Sequence, residues 1–242
     1  MSSYAAITRA DPNPLKRWVQ GRRLQDALAA ARQGPVPRAI VDYGGGDGEL
    51  LRLAASLWPQ AALTCFEPVP SLAEQARANL AATPAAQVVD AEADLAPGSA
   101  DLVFCTEVFE HLPDPETAAA LDRIERTLTP GGRLVIGVPM ELWAPALAKG
   151  MFRAARRPGD FDGRPAHVLA AAGGRPPSPR PAVEISAGRA YFPHHAGFDH
   201  RRLLAAVRTR FDVARVWGSP AALLPTWLNS EFYLLAHKRS AA

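Results

Sequence analysis

Cysteine is scarce in this sequence: Cys65 and Cys105 are the two present among 242 residues. They lie in apolar runs that are far apart along the chain. Two lone cysteines form neither a disulfide framework nor a four-ligand zinc site. We therefore expect a reducing, cytoplasmic location, where thiols stay free.

Long hydrophobic runs are also missing. No apolar stretch reaches the ~18–20 residues that a membrane span needs. The opening segment, MSSYAAITRADPNP, lacks the apolar centre of a secretory signal, so we expect no such signal. Hydrophobic residues make up 48% of the chain and charged residues 21%, which excludes global disorder and favours one domain with a substantial core.

Positive charge is unevenly distributed, although the net charge is only +3. Residues 39–148 carry five arginines against sixteen acids, whereas residues 1–38 and 149–215 have net charges of +5 and +8. The basic segments are either ordinary solvated surface or surfaces that face an anionic substrate or membrane. A nucleic-acid partner is not expected, because the basic residues are split and do not alternate with aromatic ones.

Short apolar strands alternate with helices through the middle of the chain. The predicted strands cover residues 39–43, 62–66, 87–90, 102–106 and 133–138, and the predicted helices cover 49–58, 71–82 and 116–128. This order predicts an α/β, doubly wound, mostly parallel sheet with helices on both faces. A helix within 11–33 precedes the pattern, and a helix at 199–210 with strands at 211–217 and 231–237 follows it.

A long insert, residues 139–198, interrupts this alternation. It opens with an apolar helix at 142–156 that has a basic tail. Residues 158–181 then hold six prolines and four glycines, so we expect no regular element there. Ligands of open α/β sheets bind beyond the carboxyl ends of the strands, where this insert emerges. We therefore predict a lid-like cover that places Trp143, Phe152 and Tyr191 around a bound substrate.

A glycine-rich turn, Asp42-Tyr43-Gly44-Gly45-Gly46-Asp47-Gly48, joins the first strand to the next helix. Glycines permit a sharp turn and a close ligand approach, and the helix N-terminus offers free N–H groups. Glu67 ends the next strand, where a carboxylate can accept hydrogen bonds from ribose hydroxyls. Asp47 would repel a pyrophosphate, which favours the cationic S-adenosylmethionine over NAD. The alternative is a tight turn without any ligand.

These features resemble the class I S-adenosylmethionine-dependent methyltransferases, specifically the bacterial small-molecule group. Five ordered matches between residues 39 and 138 carry the resemblance: Asp42-x-Gly44-x-Gly46-x-Gly48, Glu67, Asp90-Ala91-Glu92, Glu107-Val108-Phe109-Glu110-His111-Leu112, and Leu128-Thr129-Pro130-Gly131-Gly132. Gly45 stands where many members have cysteine or another small residue, and we expect it to alter only the stiffness of the loop. The Asp/Asn-Pro-Pro-Tyr tetrapeptide of amide and adenine methyltransferases is absent, and Thr106 begins the segment found in its place.

The resemblance implies a Rossmann-like, seven-stranded sheet with an antiparallel last strand. Residues 39–138 would form the cofactor-binding core of a single domain, with an N-terminal helical extension at 1–38, the insert at 139–198, and a C-terminal helix with two strands at 199–242. The implied cofactor-binding residues are Asp42, Gly44, Gly46, Gly48, Glu67, Asp90, Ala91 and Thr106.

The implied reaction is an in-line transfer of methyl from S-adenosylmethionine to a small-molecule, glycan-precursor or lipid-linked acceptor. A non-catalytic module that binds S-adenosylmethionine is the alternative. His111, His194 and His195 are the candidate bases, and the alternative for each is a structural or exposed histidine.

No metal is expected, because the histidines show no repeated ligand spacing. The apolar and arginine-rich helix at 142–156 suits a bulky acceptor with an anionic head, or peripheral contact with a membrane.

Overall fold

The computed structural model describes residues 14–186 and 189–239. The opening segment in which we expect no secretory signal lies mostly outside the described residues, as does the start of the helix predicted within 11–33. Within the described part of the chain, no helix combines the length and the apolar character needed to cross a bilayer.

Seven strands form the main sheet, and two further strands form a small hairpin. The strands are β1 (Ala39–Tyr43), β2 (Ala62–Phe66), β3 (Ala86–Val89), β4 (Ala100–Thr106), β5 (Leu128–Pro139), β6 (Val183–Ser186), β7 (Arg189–Tyr191), β8 (Phe211–Ser219) and β9 (Glu231–Lys238). The sheet order is β3-β2-β1-β4-β5-β9-β8. Strands β1 to β5 pair in parallel, whereas β9 runs antiparallel to both β5 and β8. The predicted doubly wound sheet with an antiparallel last strand is confirmed.

Seven helices accompany the strands in the described residues. They are α1 (Pro14–Ala31), α2 (Glu49–Leu57), α3 (Pro70–Leu80), α4 (Asp114–Thr127), α5 (Trp143–Arg156), α6 (Pro165–Ala172) and α7 (His200–Arg210). Asp199 caps α7, because its carboxylate accepts a hydrogen bond from the Arg201 N–H. This helix was expected at 199–210, so the boundary signal in the sequence is confirmed.

Each strand supplies apolar side chains to both faces of the sheet, since successive residues point in opposite directions. One face packs against α4 and α7, and its buried residues include Val41, Val103, Leu121, Ile124, Leu134 and Val207. The other face packs against α1, α2 and α3, and its buried residues include Leu28, Ile40, Leu51, Leu80, Leu102 and Val135. The N-terminal helix α1 is therefore part of the core.

The insert is more ordered than the sequence predicts. Residues 158–181 contain a short 3₁₀ turn, Phe161–Gly163, and the helix α6. The expectation of no regular element there is wrong, because the helix-breaking residues lie at the ends of the helix. Pro165 occupies the first helical turn, where its missing N–H costs nothing. Gly173 and Gly174 follow the last turn, which leaves an alanine-rich interior.

A buried arginine ties α1 to the sheet. Arg133 of β5 donates hydrogen bonds to the carbonyl of Ala31, at 2.7 Å, and to that of Pro35. Ala31 is the last residue of α1, and its carbonyl otherwise accepts only a long hydrogen bond from the Gly34 N–H, at 3.5 Å, so this guanidinium supplies the stronger partner at the end of the helix.

We predict that Arg133→Met lowers the free energy of unfolding by about 1.5–3 kcal/mol, the usual loss for hydrogen bonds from a charged donor. Urea denaturation followed by circular dichroism measures the change. Arg38→Met is the control, because that side chain is 92% exposed and its removal should cost almost nothing. Equal stability of the two variants would contradict a tethering role for Arg133.

Candidate active site at the carboxyl edge of the sheet

The glycine-rich turn after β1 adopts a conformation that only glycine takes readily. Gly44, Gly46 and Gly48 have φ values of +76°, +57° and +79°. A Cβ atom at Gly44 would lie 2.5 Å from a methyl group of Val108, and one at Gly48 would lie 2.9 Å from Leu80. A Cβ at Gly46 would meet no atom within 4 Å. The turn is thus packed on two sides and open at Gly46.

Glu67, directly after β2, holds this turn in place. Its carboxylate accepts hydrogen bonds from the N–H of Gly46 at 2.8 Å and from the N–H of Val69 at 2.9 Å. The side chain is 5% exposed. Each carboxylate oxygen has a second lone pair, so both protein hydrogen bonds are compatible with further hydrogen bonds from a ligand.

Acidic groups accumulate around the turn. Asp42, at 2% exposure, has an Oδ1 atom without a hydrogen-bond partner among the described residues. Burial, together with the charges of Glu67 and Asp47, raises the pKa of Asp42 to about 7. Burial also raises the pKa of Glu67, against the two backbone hydrogen bonds that lower it. Buried carboxylates crowded together disfavour an anionic ligand and favour a cationic one.

Gly45 corrects one sequence-based expectation. A Cβ atom there would lie 2.6 Å from the Sγ of Cys65 and 2.9 Å from an oxygen of Asp42. A larger residue would therefore affect more than loop stiffness, because Cys65 already fills the space that a side chain would need.

The remaining residues predicted to bind the cofactor lie along the same edge. Asp90, just after β3, is exposed and forms an ion pair with Arg77 at 3.0 Å. Ala91 follows it and is also exposed. Thr106 is the last residue of β4 and pairs with Gly137 of β5. Their assignment to the cofactor stays a prediction.

A second group of polar side chains lies beyond β4 and β5. The ring of His111 stacks on Tyr191, with centroids 4.5 Å apart, and meets the edge of the His195 ring at 4.7 Å. The Nδ1 atom of His111 lies 2.8 Å from the carbonyl oxygen of Phe192. Three of the predicted site residues, His111, His195 and Tyr191, are therefore neighbours.

The other predicted residues of this region lie elsewhere. His194 Nδ1 is 3.7 Å from a carboxylate oxygen of Asp162. Trp143 packs against the ring of His200, with centroids 5.4 Å apart. Phe152 is 56% exposed on α5, and its described ring contact is with Arg156. Participation of these residues in acceptor binding stays a prediction.

Sequence reasoning missed a buried ion-pair cluster at this edge. Glu141, just beyond β5, accepts two hydrogen bonds from Arg153, at 2.7 and 2.9 Å, and one from Lys149 at 3.3 Å. Burial alone would raise the pKa of Glu141, but Lys149 and Arg153 lower it to about 2. Arg153 also pairs with Asp162 at 3.4 Å. The position of Glu141 after a strand was the one available signal.

Arg180 was missed as well. Its Nη2 atom donates to the carbonyls of Glu110 and His194, at 2.6 Å each, and its guanidinium lies 4.1 Å from the ring centre of Phe192. Among the described residues it forms no ion pair with a carboxylate. Burial lowers the pKa of Arg180 to about 10, which leaves it cationic at neutral pH.

Arg23 of α1 reaches the same edge from the other side of the sheet. It bridges Glu107 at 2.8 Å and Glu231 at 2.6 Å. Burial raises the pKa of Glu231 to about 7, although Arg23 opposes the shift. The positive charge of Arg23 is thus compensated by carboxylates of the protein itself.

Comparison with known proteins links this geometry to one family. A family model described as a methyltransferase domain matches residues 15–170, more than half of the chain. A trans-aconitate 2-methyltransferase of Methylobacterium radiotolerans is 32% identical over 139 residues, which cover 56% of this chain and 52% of that protein. A malonyl-[acyl-carrier protein] O-methyltransferase of Geobacter sulfurreducens is 37% identical over 106 residues, covering 42% and 40%. The chain thus spans about half the length of the first relative and less of the second.

A solved structure shares the fold across nearly the whole chain. The N-methyltransferase NodS of Bradyrhizobium japonicum, in complex with S-adenosyl-L-homocysteine, superposes with a TM-score of 0.56 at 15% identity. The alignment covers 95% of this chain and 90% of that one. At this identity the likeness concerns the arrangement of the sheet and helices.

We predict that Asp42→Asn stabilises the protein without ligand in a pH-dependent way. Because the pKa of Asp42 in the folded state, about 7, lies above its ordinary value of 3.8, the folded state retains a proton that the unfolded state has released. Wild-type stability therefore falls between about pH 4 and pH 7. The variant should match the wild type near pH 4 and exceed it by about 3–4 kcal/mol at pH 8.

Urea denaturation at several pH values measures this difference. The control is Asp212→Asn, since Asp212 is largely exposed and pairs with Arg239 at the surface. A stability difference for Asp42→Asn that stays constant from pH 4 to pH 8 would contradict the raised pKa.

Proposed function

Because the chain belongs to the methyltransferase-domain family, we propose that it binds S-adenosylmethionine at the glycine-rich turn and transfers the methyl group to an oxygen atom of a small anionic acceptor. The observation that carries the cofactor assignment is the turn itself. It is open at Gly46 and surrounded by the buried carboxylates of Asp42 and Glu67.

The residues of the turn fit this cofactor. S-adenosylmethionine, when bound, supplies an electrophilic methyl group on a positively charged sulfur. Asp42 and Asp47 would attract that positive charge and the ammonium group of the methionine part, and the unpartnered Oδ1 of Asp42 would gain a donor. Glu67 would accept hydrogen bonds from the ribose with its remaining lone pairs.

The acceptor is assigned from the charge beyond β4 and β5. Lys149 and Arg153 are neutralised by Glu141, whereas Arg180 forms no ion pair among the described residues and is therefore the cation we assign to hold an anion. Its guanidinium is fixed by two carbonyls and by Phe192, which presents a preorganised donor for a carboxylate. The two relatives are named for trans-aconitate and for malonyl-[acyl-carrier protein]. Trans-aconitate and the malonyl group both carry a free carboxyl group.

In the proposed mechanism the main task of the protein is to position the reactants. An ionised carboxylate already carries the nucleophilic electron pair, so the protein aligns acceptor oxygen, methyl carbon and sulfur in one line. Alignment of this kind can lower a barrier by ~7–11 kcal/mol. For a hydroxyl acceptor a proton must also leave, and His111, His194 and His195 remain the proposed bases. The ordered insert would exclude water from this region.

A lipid-linked acceptor is the second candidate, and a surface patch favours it. Leu147 and Met151 project from α5 and are exposed, as are Trp227 and Leu228 in the neighbouring 3₁₀ turn Thr226–Leu228. Arg156, which is exposed in the last turn of α5, would attract an anionic head group toward this patch. Such an acceptor would still present its anionic group to Arg180.

We predict that Gly46→Ala weakens the binding of S-adenosylmethionine about tenfold or more, equivalent to at least about 1.4 kcal/mol, because the new methyl group occupies the open face of the turn. Isothermal calorimetry measures the dissociation constant. Gly98→Ala is a matched control, since Gly98 also has a positive φ, +61°, and open space around its Cβ position. Both variants carry the same backbone strain, but only Gly46→Ala should lose affinity. Equal affinities in the two variants would overturn the cofactor site.

We predict that Arg180→Gln lowers kcat/KM for a carboxylate acceptor about tenfold to hundredfold through a higher KM, with an unchanged dissociation constant for S-adenosylmethionine. Transfer of labelled methyl is measured with a panel of small carboxylic acids that includes trans-aconitate, matched neutral alcohols and a polyprenyl phosphate. Arg175→Gln is the control, because Arg175 is exposed on the same insert.

The panel also distinguishes the alternatives. Preference for the polyprenyl phosphate would favour the lipid-linked acceptor. Preference for the alcohols would overturn the anionic acceptor. Tight cofactor binding without transfer to any class of acceptor would favour a non-catalytic binding module.

A further inference from the structure

Three side chains beyond β4 bring metal-ligating atoms together: Glu110, His111 and His195. One ligand atom from each lies within 4.8 Å of the other two. Glu110 and His111 belong to the 3₁₀ turn that follows β4, whereas His195 comes from the loop before α7. We propose that these residues bind one divalent transition-metal ion. The linear sequence predicts no metal, because this juxtaposition exists only in the fold.

Glu110 gives the strongest support for a bound ion. Its side chain is completely buried, at 0% exposure, and neither carboxyl oxygen has a hydrogen-bond partner among the described residues. The Nε2 atom of His111 lies 3.7 Å from Oε1 of Glu110, which is too far for a hydrogen bond. An orphaned buried carboxyl group is costly, and a metal ion between it and the imidazoles would satisfy it.

His111 is oriented as a ligand. A hydrogen bond from Nδ1 to the carbonyl of Phe192, at 2.8 Å, leaves the lone pair of Nε2 on the side of Glu110. The stacking contact with Tyr191, at an interplanar angle of 9°, fixes the plane of the ring. A carbonyl that holds the far nitrogen of an imidazole is the usual outer partner of a metal-binding histidine.

His195 faces a carboxylate on its far side, at a distance beyond that of a hydrogen bond. Its Nδ1 atom lies 4.0 Å from Oε1 of Glu141, a carboxylate that Arg153 holds with two hydrogen bonds. A carboxylate on this side favours a hydrogen on Nδ1 and leaves Nε2 as the ligand atom. Glu107, in the same segment as Glu110, pairs with Arg23 instead.

Two imidazoles and one carboxylate indicate the class of ion. This ligand set suits Zn²⁺, Fe²⁺, Mn²⁺ or Co²⁺ rather than the all-oxygen preference of Ca²⁺ and Mg²⁺. Three protein ligands also leave coordination positions open for a further ligand. The site adjoins the glycine-rich turn, because Val108, two residues before Glu110, contacts Gly44.

A role in methyl transfer rests on the proposed function. A bound ion would hold the acceptor oxygen and, for a hydroxyl acceptor, favour its ionisation; His111 and His195, committed as ligands, would then not act as bases. Ion binding itself does not depend on the reaction, so the two can be tested apart.

The test is metal binding to the full chain after treatment with EDTA and dialysis. Titration with Co²⁺, followed by visible absorption, and calorimetric titration with Zn²⁺ should each give one ion per chain. Glu110→Gln and His195→Ala should each weaken binding about tenfold or more. Circular dichroism of the metal-free variants establishes that they are folded. His194→Ala is the matched control, because this neighbouring histidine faces Asp162 and should leave the affinity for the ion unchanged.

Absence of stoichiometric binding by the wild type would overturn the proposal, as would unchanged binding in both Glu110→Gln and His195→Ala. Titration with S-adenosylmethionine in the presence of EDTA separates this result from the proposed function. Cofactor binding without metal binding would contradict only the proposed metal site. Metal binding without cofactor binding would contradict only the proposed function.

Discussion

The carboxylate of Glu67 connects the segments that follow two neighbouring parallel strands, β1 and β2. It accepts the N–H of Gly46 from the turn after β1 and the N–H of Val69 from the segment after β2. This arrangement buries Glu67 beside Asp42, and within the described residues neither forms an ion pair. The two hydrogen bonds thus hold the turn open beside two buried acidic groups that have no counterion among the described residues. A cationic ligand would neutralise these buried acidic groups, which is the physical basis for assigning S-adenosylmethionine to this edge.

The neighbouring polar region depends on a different constraint, the docking of the insert. Glu141 beyond β5 is buried and would be unfavourable alone, but Arg153 and Lys149 of α5 neutralise it. Arg153 also reaches Asp162, so the same ion pairs fix the start of the insert and its middle. Arg180 then anchors the returning chain through carbonyls on both sides of the cluster. These ion pairs and hydrogen bonds thereby fix the insert against the carboxyl edge of the sheet.

Local sequence signals predicted the features that local physics determines. Apolar runs predicted the strands, the glycine pattern predicted the turn, and Asp199 predicted the start of α7. The helix α6 was missed because Pro165 and Gly173 were counted as breakers, although a helix tolerates them at its two ends. Gly45 was misjudged because its neighbour in space, Cys65, belongs to another strand.

The contact between Glu110 and His195 could not be predicted from the sequence, for a related reason. Glu141 lies just before α5 and Arg153 lies within it, 12 residues away, but Glu110 and His195 come from segments 85 residues apart. No periodicity or spacing encodes such a contact, since it arises only when the insert folds back over β4. The sequence therefore indicated three candidate histidines without indicating that two of them meet a buried carboxyl group.

Calorimetric titration of the purified chain with S-adenosylmethionine, and in parallel with NAD, is the most direct test of cofactor recognition by the acidic turn. The predicted result is one-to-one binding of S-adenosylmethionine that tightens as the pH rises through about 7, where Asp42 ionises, and no binding of NAD. Binding of NAD, or no binding of S-adenosylmethionine at any pH, would contradict the assignment of the turn.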